Sequence, residues 1–405
     1  MHNRQTYLNQ LIRFKDQELI KVITGIRRCG KSSLLELFAQ YLSSIGVNKN
    51  NIIKINFEDL KYDNITYKEL HDALKNKLEN SKEKIYFLFD EIQKVEKWEL
   101  AINSIRLDKK ADIYITGSNA YLLSSQLSTY LSGRYVEIKM LPLTFKEFLD
   151  FYIPKGKPNN KDLFNKYLIY GGMPGLSAFN YRDDMINQTL EGIFSTVLTK
   201  DIIAQSEIRD IALINKITKF LTDNIGNNIS VNKIKNTLVS QNTITKGTKQ
   251  DTIDNYITLL ENAYIFYSAQ RYDIKGKEYL KTQGKYYIAD IGLRNYFIGY
   301  RDTDRGHILE NIVFLELLHR GYKVSIGKID NIEIDFIATT PQKKIYIQVA
   351  ETILDETTRK RELKPLQNIR DNYEKIILTM DDIFTGFDEN GIKIINLIDW
   401  LLMSE

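Results

Sequence analysis

Gly25-Ile26-Arg27-Arg28-Cys29-Gly30-Lys31-Ser32 has the spacing GxxxxGK[ST] and lies between an apolar run, Lys21 to Thr24, and an amphipathic stretch, Ser33-Leu34-Leu35-Glu36-Leu37-Phe38. That context suits a polyphosphate. The two glycines let the backbone turn so that consecutive N–H groups face phosphate oxygens, and the following helix presents its positive N-terminal end. Lys31 is then placed for the β- and γ-phosphates and the Ser32 hydroxyl for Mg²⁺. The expected contact set for ATP is Gly25, Ile26, Arg27, Arg28, Cys29, Gly30, Lys31, Ser32 and Ser33. Arg27 and Arg28 suit phosphate, a partner subunit or DNA, and Cys29 reads as a small filler.

Tyr86-Phe87-Leu88-Phe89-Asp90-Glu91 supplies the complementary half, an apolar strand ending in two carboxylates. Asp90 is expected to hold Mg²⁺ through water, and Glu91 to polarise the water that attacks the γ-phosphate. A carboxylate aimed at water favours hydrolysis over transfer to an acceptor hydroxyl. Ile113-Tyr114-Ile115-Thr116 runs into Gly117-Ser118-Asn119. A polar residue there can bond the attacking water or the γ-phosphate; Asn119 is the first candidate and Ser118 the second, while a plain turn explains the same spacing.

These residues need a parallel sheet to carry them. Between 20 and 140, short β-branched or aromatic runs alternate with longer helical patterns, with strands expected at Lys21 to Thr24, Ile52 to Phe57, Ile85 to Phe89, Ile113 to Thr116 and Tyr135 to Met140. The near-continuous apolar strands predict burial on both faces, hence a three-layer αβα sandwich. Helices then run to about Asn224, broken at Pro154-Lys155-Gly156-Lys157-Pro158-Asn159-Asn160.

Composition removes several alternatives. With 56 Lys+Arg against 52 Asp+Glu the net charge is +4, too small for a polycation, so any nucleic-acid contact must be local. Cys29 is the single cysteine and the 4 histidines are scattered, which excludes an intrachain disulfide and a thiolate metal site. No uncharged apolar run approaches the ~20 residues of a membrane span, and the start lacks a signal-peptide layout. A cytoplasmic protein is expected.

Taken in order, Gly-Ile-Arg-Arg-Cys-Gly-Lys-Ser, Phe-Asp-Glu-Ile-Gln, Ile-Thr-Gly-Ser-Asn-Ala-Tyr-Leu-Leu-Ser, Leu-Ser-Gly-Arg, Leu-Pro-Leu-Thr-Phe-Lys-Glu-Phe and Tyr-Gly-Gly-Met-Pro resemble the bacterial and archaeal ATP-binding proteins of the AAA+ class that carry a C-terminal domain of unknown function. The resemblance implies an α/β P-loop NTPase core, a helical lid, a winged helix and a C-terminal module similar to restriction endonucleases. It also implies that Arg134, in Leu131-Ser132-Gly133-Arg134, completes a neighbouring subunit's site. Its guanidinium would add charge stabilisation in the transition state, whereas a surface salt bridge is the plain alternative.

From Ile229 to Tyr287 the pattern is helices and then a hairpin, with strands at Ile265 to Tyr272 and Tyr286 to Ile288. This segment holds nine basic residues (Lys233, Lys235, Lys246, Lys249, Arg271, Lys275, Lys277, Lys281, Lys285) against five acidic ones (Asp251, Asp254, Glu261, Asp273, Glu278), the whole of the chain's excess. Ser230 caps one helix, and Asn242-Thr243-Ile244-Thr245-Lys246-Gly247 leads to a second. Thr252 to Asn262 then resembles a recognition helix, with Lys275 to Lys285 as a wing lying along phosphates.

The last hundred residues alternate again: a helix Ile308 to Arg320, strands Lys323 to Ile326, Ile332 to Ala338 and Lys344 to Val349, a helix Arg359 to Asn372 and a strand Lys375 to Thr379. Glu310, Asp335 and Gln348-Val349-Ala350 look like the Glu, Asp, Glu-x-Lys pattern of metal nucleases, but neutral Gln348 and Ala350 replace the second carboxylate and the lysine. Glu351 points to the opposite face of the strand from Gln348. A degenerate, inactive nuclease fold is expected.

The expected parts are an ATPase core over 1–143, a helical lid over 144–227, a winged helix over 228–300 and a nuclease-like domain over 301–405. The leading expectation is a Mg²⁺-dependent ATPase that binds DNA and uses nucleotide state to move domains or build homo-oligomers. The alternative is a nucleotide-operated switch or scaffold that grips partner proteins.

Overall fold

A computed structural model describes residues 4–120, 131, 133–152, 158–179, 182–203, 210–241, 244–245 and 247–403, without the side chains of residues 183 and 280–283. Residues 121–124, Ser132, residues 153–157, Asn242, Thr243, Lys246 and the Lys281 side chain, all named above, lie outside the described residues. The chain forms two compact units: Met1–Leu141 with Asn262–Tyr264, and Pro142–Glu261 with Ile265–Glu405.

In the first unit five parallel strands, β1 (Ile20–Thr24), β2 (Ile52–Asn56), β3 (Ile85–Asp90), β4 (Ala111–Gly117) and β5 (Tyr135–Lys139), stand in the order β2-β3-β4-β1-β5. Among the described residues, helices α1 (Gln5–Arg13), α2 (Lys31–Ser44), α3 (Tyr67–Glu79) and α4 (Trp98–Ile105) accompany them. The period of two divides the sheet's side chains between its faces. Phe87, Phe89, Ile113 and Ile115 pack with Leu70, Leu74 and Leu78 of α3 and Trp98 and Ile102 of α4. Tyr114, one residue out of phase, meets Phe38 of α2 at 4.4 Å on the other face. Every residue of β3 is buried, as its unbroken apolar run requires. Because the strands are parallel, the residues that end β3, β4 and β1 share one edge of the sheet.

The second unit opens with helices α5 (Phe145–Phe151), α6 (Asn160–Tyr170), α7 (Asp183–Thr196), α8 (Ile211–Asp223), α9 (Val231–Ser240) and α10 (Gln250–Asn262), whose last residue belongs to the first unit. After the hairpin β6 (Phe266–Asp273) and β7 (Glu278–Ile288) come α11 (Ile291–Ile298), α12 (Arg305–His319), β8 (Lys323–Ile329), β9 (Ile332–Thr339), β10 (Lys344–Ala350), α13 (Glu356–Gln367), β11 (Glu374–Thr379), β12 (Gly386–Phe387), β13 (Lys393–Asn396) and α14 (Leu397–Leu402). Ser230 caps α9 through the Lys233 N–H.

Two features differ from the sequence reading. The second hairpin strand begins at Glu278, eight residues before the expected Tyr286, because the turn is confined to 274–277, where Asp273 Oδ1 accepts the N–H groups of Lys275 and Gly276. The hairpin also belongs to the sheet of the end segment, an eight-stranded array ordered β12-β13-β11-β10-β9-β8-β6-β7. Arg271, Tyr272 and Asp273 pair in parallel with Ile326, Gly327 and Lys328. Among the described residues no helix is long and apolar enough to cross a membrane.

Candidate functional site

The loop after β1 can take its path because its first residue has no side chain. Gly25 has φ +140°, and a Cβ there would meet Met140 O at 2.0 Å. Gly30, with φ +106°, leads into the first turn of α2. The buried Arg4 guanidinium braces the loop from beneath, donating to Cys29 O at 3.1 Å and Leu141 O at 2.9 Å. Ile26 and Cys29 are buried, whereas Ser32 and Ser33 are exposed at the start of the helix. Lys31 is folded back into the loop, its Nζ donating to Gly25 O at 2.9 Å and Ile26 O at 3.2 Å. A phosphate oxygen would replace those two carbonyls as the ammonium's partner. The two loop arginines differ: Arg27 is half-buried and donates to Ser118 Oγ at 3.2 Å with Glu58 at 3.7 Å, while Arg28 is exposed with φ +66°.

At the end of β3, Asp90 and Glu91 are both buried and are joined through one hydroxyl. Thr116, at the end of β4, donates to Asp90 Oδ1 at 2.5 Å and accepts from the Glu91 N–H at 3.0 Å. Glu91 stands at φ +54°, a left-handed conformation that a non-glycine residue holds only when its surroundings enforce it. Burial pushes its carboxyl above the ordinary range, while Lys31 and Arg27 pull it back. The Gln93 amide also donates to Glu91 Oε2. Asn119 and Ser118 are buried on the turn after β4, and Ser118 meets the loop arginine. Arg134 is exposed and donates to Asn103 Oδ1 of α4 at 3.2 Å. The Ser32 hydroxyl and the Asp90 carboxylate have the oxygen chemistry that Mg²⁺ favours.

Residues 17–149 match an AAA domain, and residues 161–304 match a domain of unknown function (DUF8612). The chain is 44% identical over 405 residues to an uncharacterized protein of Haemophilus influenzae, covering 99% of each. It is 32% identical over 411 residues to uncharacterized protein MJ1544 of Methanocaldococcus jannaschii, covering 95% of this chain and 88% of that one. It belongs to their family of AAA-domain proteins. In fold it is similar to the Walker-type ATPase PABY2304 of Pyrococcus abyssi, with a TM-score of 0.52 and 15% identity over 73% of this chain and 96% of the other.

The second unit of this AAA protein gathers another set of charged groups. Lys285 of β7, counted above among the phosphate-tracking lysines, is instead buried, with Nζ 2.8 Å from Glu310, 2.8 Å from Glu333 and 3.8 Å from Asp335. Tyr287 donates to the same Glu310 oxygen at 2.6 Å. Asp335 accepts the Val349 N–H at 2.9 Å and donates its own N–H to Gln348 Oε1 at 3.3 Å. The Gln348 amide donates to Glu362 Oε2 of α13 at 3.0 Å. A lysine and a further carboxylate thus reach the cluster from outside the expected strand motif. Glu351 lies apart, half-exposed and paired with Arg305 at 3.1 Å. Among the described residues, no group of three or more His, Cys, Asp or Glu could hold a metal ion.

Sequence reasoning missed the roles of Thr116, Gln93 and Lys285. Thr116 and Gln93 stand inside motifs that carry the resemblance, but nothing in their spacing marks the bonds they make. Lys285 is marked by its spacing: it stands two residues before Tyr287, so a strand puts both on one face.

Proposed function

We propose that the chain is a Mg²⁺-dependent ATPase, and the observation that carries this reading is the Thr116 bridge that holds Asp90 and Glu91 beside the loop containing Lys31. Lys31, released from its own loop carbonyls, and the N–H groups at the start of α2 hold the β- and γ-phosphates. Ser32 and Asp90 would hold Mg²⁺, which neutralises the charge developing on the phosphates. Glu91 takes the role of base toward water, its burial raising its affinity for a proton. Ser118 and Asn119 line the turn from which a polar group can meet the γ-phosphate, and Arg134 serves a neighbouring subunit.

Lys31→Ala and Glu91→Gln test the assignment in purified protein. Lys31→Ala is expected to lose nucleotide affinity. Glu91→Gln keeps binding within a few-fold and loses turnover by about 10²–10⁴-fold, the usual contribution of a general base. Undiminished hydrolysis by Glu91→Gln would overturn the assignment.

Within this proposal the chain reads as a core to residue 143, a helical lid over 144–227, a winged helix over 228–300 and a nuclease-like end domain over 301–405. DNA contact through the third part rests on the exposed Lys233, Lys249, Lys275 and Lys277, although Lys275 also pairs with Asp330 at 2.6 Å. The partner-protein reading is favoured by α10 itself, whose exposed positions include Asp251 and Asp254, carboxylates that would repel a phosphate backbone. A salt titration of duplex binding separates the two. Phosphate contacts give a log–log slope of about −0.9 per contact, and absence of binding at low salt leaves the partner-protein reading.

A further inference from the structure

The chain leaves the first unit after Leu141 and returns to it for three residues, Asn262, Ala263 and Tyr264, before leaving again. The excursion is anchored at two places. Asn262 O accepts the N–H of Ala120 at 2.7 Å, directly after Ser118 and Asn119. The Tyr264 hydroxyl donates to Glu137 Oε1 at 3.2 Å, and Thr24, the residue immediately before Gly25, donates to that same oxygen at 2.5 Å. Ala263 and Tyr264 are 0% and 2% exposed, and Lys139 Nζ lies 5.2 Å from the centre of the Tyr264 ring. Tyr264 has φ +57°, which for a bulky side chain is a strained conformation that only its surroundings can maintain.

The two anchors belong to the two loops that the proposed chemistry sets in motion. Thr24 is the base of the phosphate loop, and Ala120 follows the turn whose Ser118 already holds Arg27. A phosphate that draws Lys31 away from Gly25 O and Ile26 O removes two of the bonds that close the loop. Thr24 precedes that loop directly and is joined to Tyr264 through one shared carboxylate oxygen. Residues 261 and 265, on either side of the tripeptide, belong to the second unit. We infer that Asn262–Tyr264 is the relay through which nucleotide occupancy of the phosphate loop acts on the helix ending at Asn262 and the strand beginning at Phe266. The inference rests on the ATP-binding reading and adds its route of regulation.

Hydrogen–deuterium exchange on the full chain, with and without a non-hydrolysable ATP analogue and Mg²⁺, tests it. In the wild type, nucleotide should alter exchange both in peptides covering 25–33 and in peptides covering 250–273. Tyr264→Phe keeps the ring and Glu137→Ala removes the shared oxygen at an exposed position. In each, protection of 25–33 should persist while the response of 250–273 is lost, because the opening of a segment depends on the contacts that hold it. A wild type whose 25–33 peptides respond while 250–273 do not, or a Tyr264→Phe protein that responds like the wild type, overturns the relay and leaves the ATP reading standing. Absence of any response at 25–33 in the wild type removes the ATP reading and the relay together.

Discussion

Thr116 Oγ1 stands 2.5 Å from Asp90 Oδ1 and fixes by the same atom the backbone of Glu91, so one hydroxyl orients the proposed metal carboxylate and the proposed base together. Thr116→Val keeps the shape and removes the hydroxyl. It should lower ATP turnover by about 10–100-fold, the usual cost of deleting a partner of a metal-holding carboxylate. Nucleotide affinity should stay within a few-fold, and Thr116→Ser should recover most of the rate. Full activity in Thr116→Val would show that the bridge is only structural.

Arg134 makes its contact with Asn103, at an exposed position. If it acts across a subunit boundary, Arg134→Ala should reduce hydrolysis by about 10³-fold or more, as loss of an arginine finger does. Mixing it with Lys31→Ala protein should then restore activity, since a hybrid interface joins one intact loop to one intact arginine. Activity that never exceeds the sum of the two separate mutants would assign Arg134 to its own chain.

The Lys285 cluster predicts how the second unit responds to pH. Burial, reinforced by Glu310, pushes the Asp335 carboxyl up to about 8 despite Lys285 and the Val349 N–H. Between its ordinary value near ~3.9 and that value, the folded state keeps a proton that the unfolded chain has lost, so stability falls as pH rises through this window. Lys285, held above its ordinary range, gives stability that is lost only above the usual lysine pKa. Glu310, held below its ordinary range, gives stability that is lost only on acidification. Denaturant melts from pH 6 to 8, above the value of about 6 to which burial pushes Asp290, should therefore show a negative slope of up to about one proton from Asp335, flattened in Asp335→Asn. Lys285→Met leaves the carboxylates without their shared cation and should cost about 3–5 kcal/mol.

The sequence announced the parts that are contiguous. The phosphate loop, the β3 strand with Asp90-Glu91 and the strand–helix alternation of a parallel sheet were legible because each depends on neighbours along the chain. Thr116 was not, since a threonine closing an apolar strand reads as an ordinary β-former and only pairing with β3 brings it to Asp90. Lys285 was read as surface charge because the strand was begun at Tyr286; one that starts at Glu278 puts Lys285 and Tyr287 on the same buried face. β12, β13 and α14 escaped because strands of two and four residues and a helix of six are too short to show a period.

The continuity of the eight-stranded sheet bears on how the protein can be cut. The match to the domain of unknown function stops at residue 304, whereas the sheet entered by β6 and β7 runs on to Asn396. A fragment truncated at that point would strip β6 of its β8 neighbour and expose a raw edge that invites aggregation. It would also lose Phe314, which stacks on Tyr287 at 4.2 Å, and all three carboxylates around Lys285. A cut at residue 304 therefore divides one continuous sheet, and a fragment carrying the hairpin is expected to need the strands through Asn396 to stay soluble.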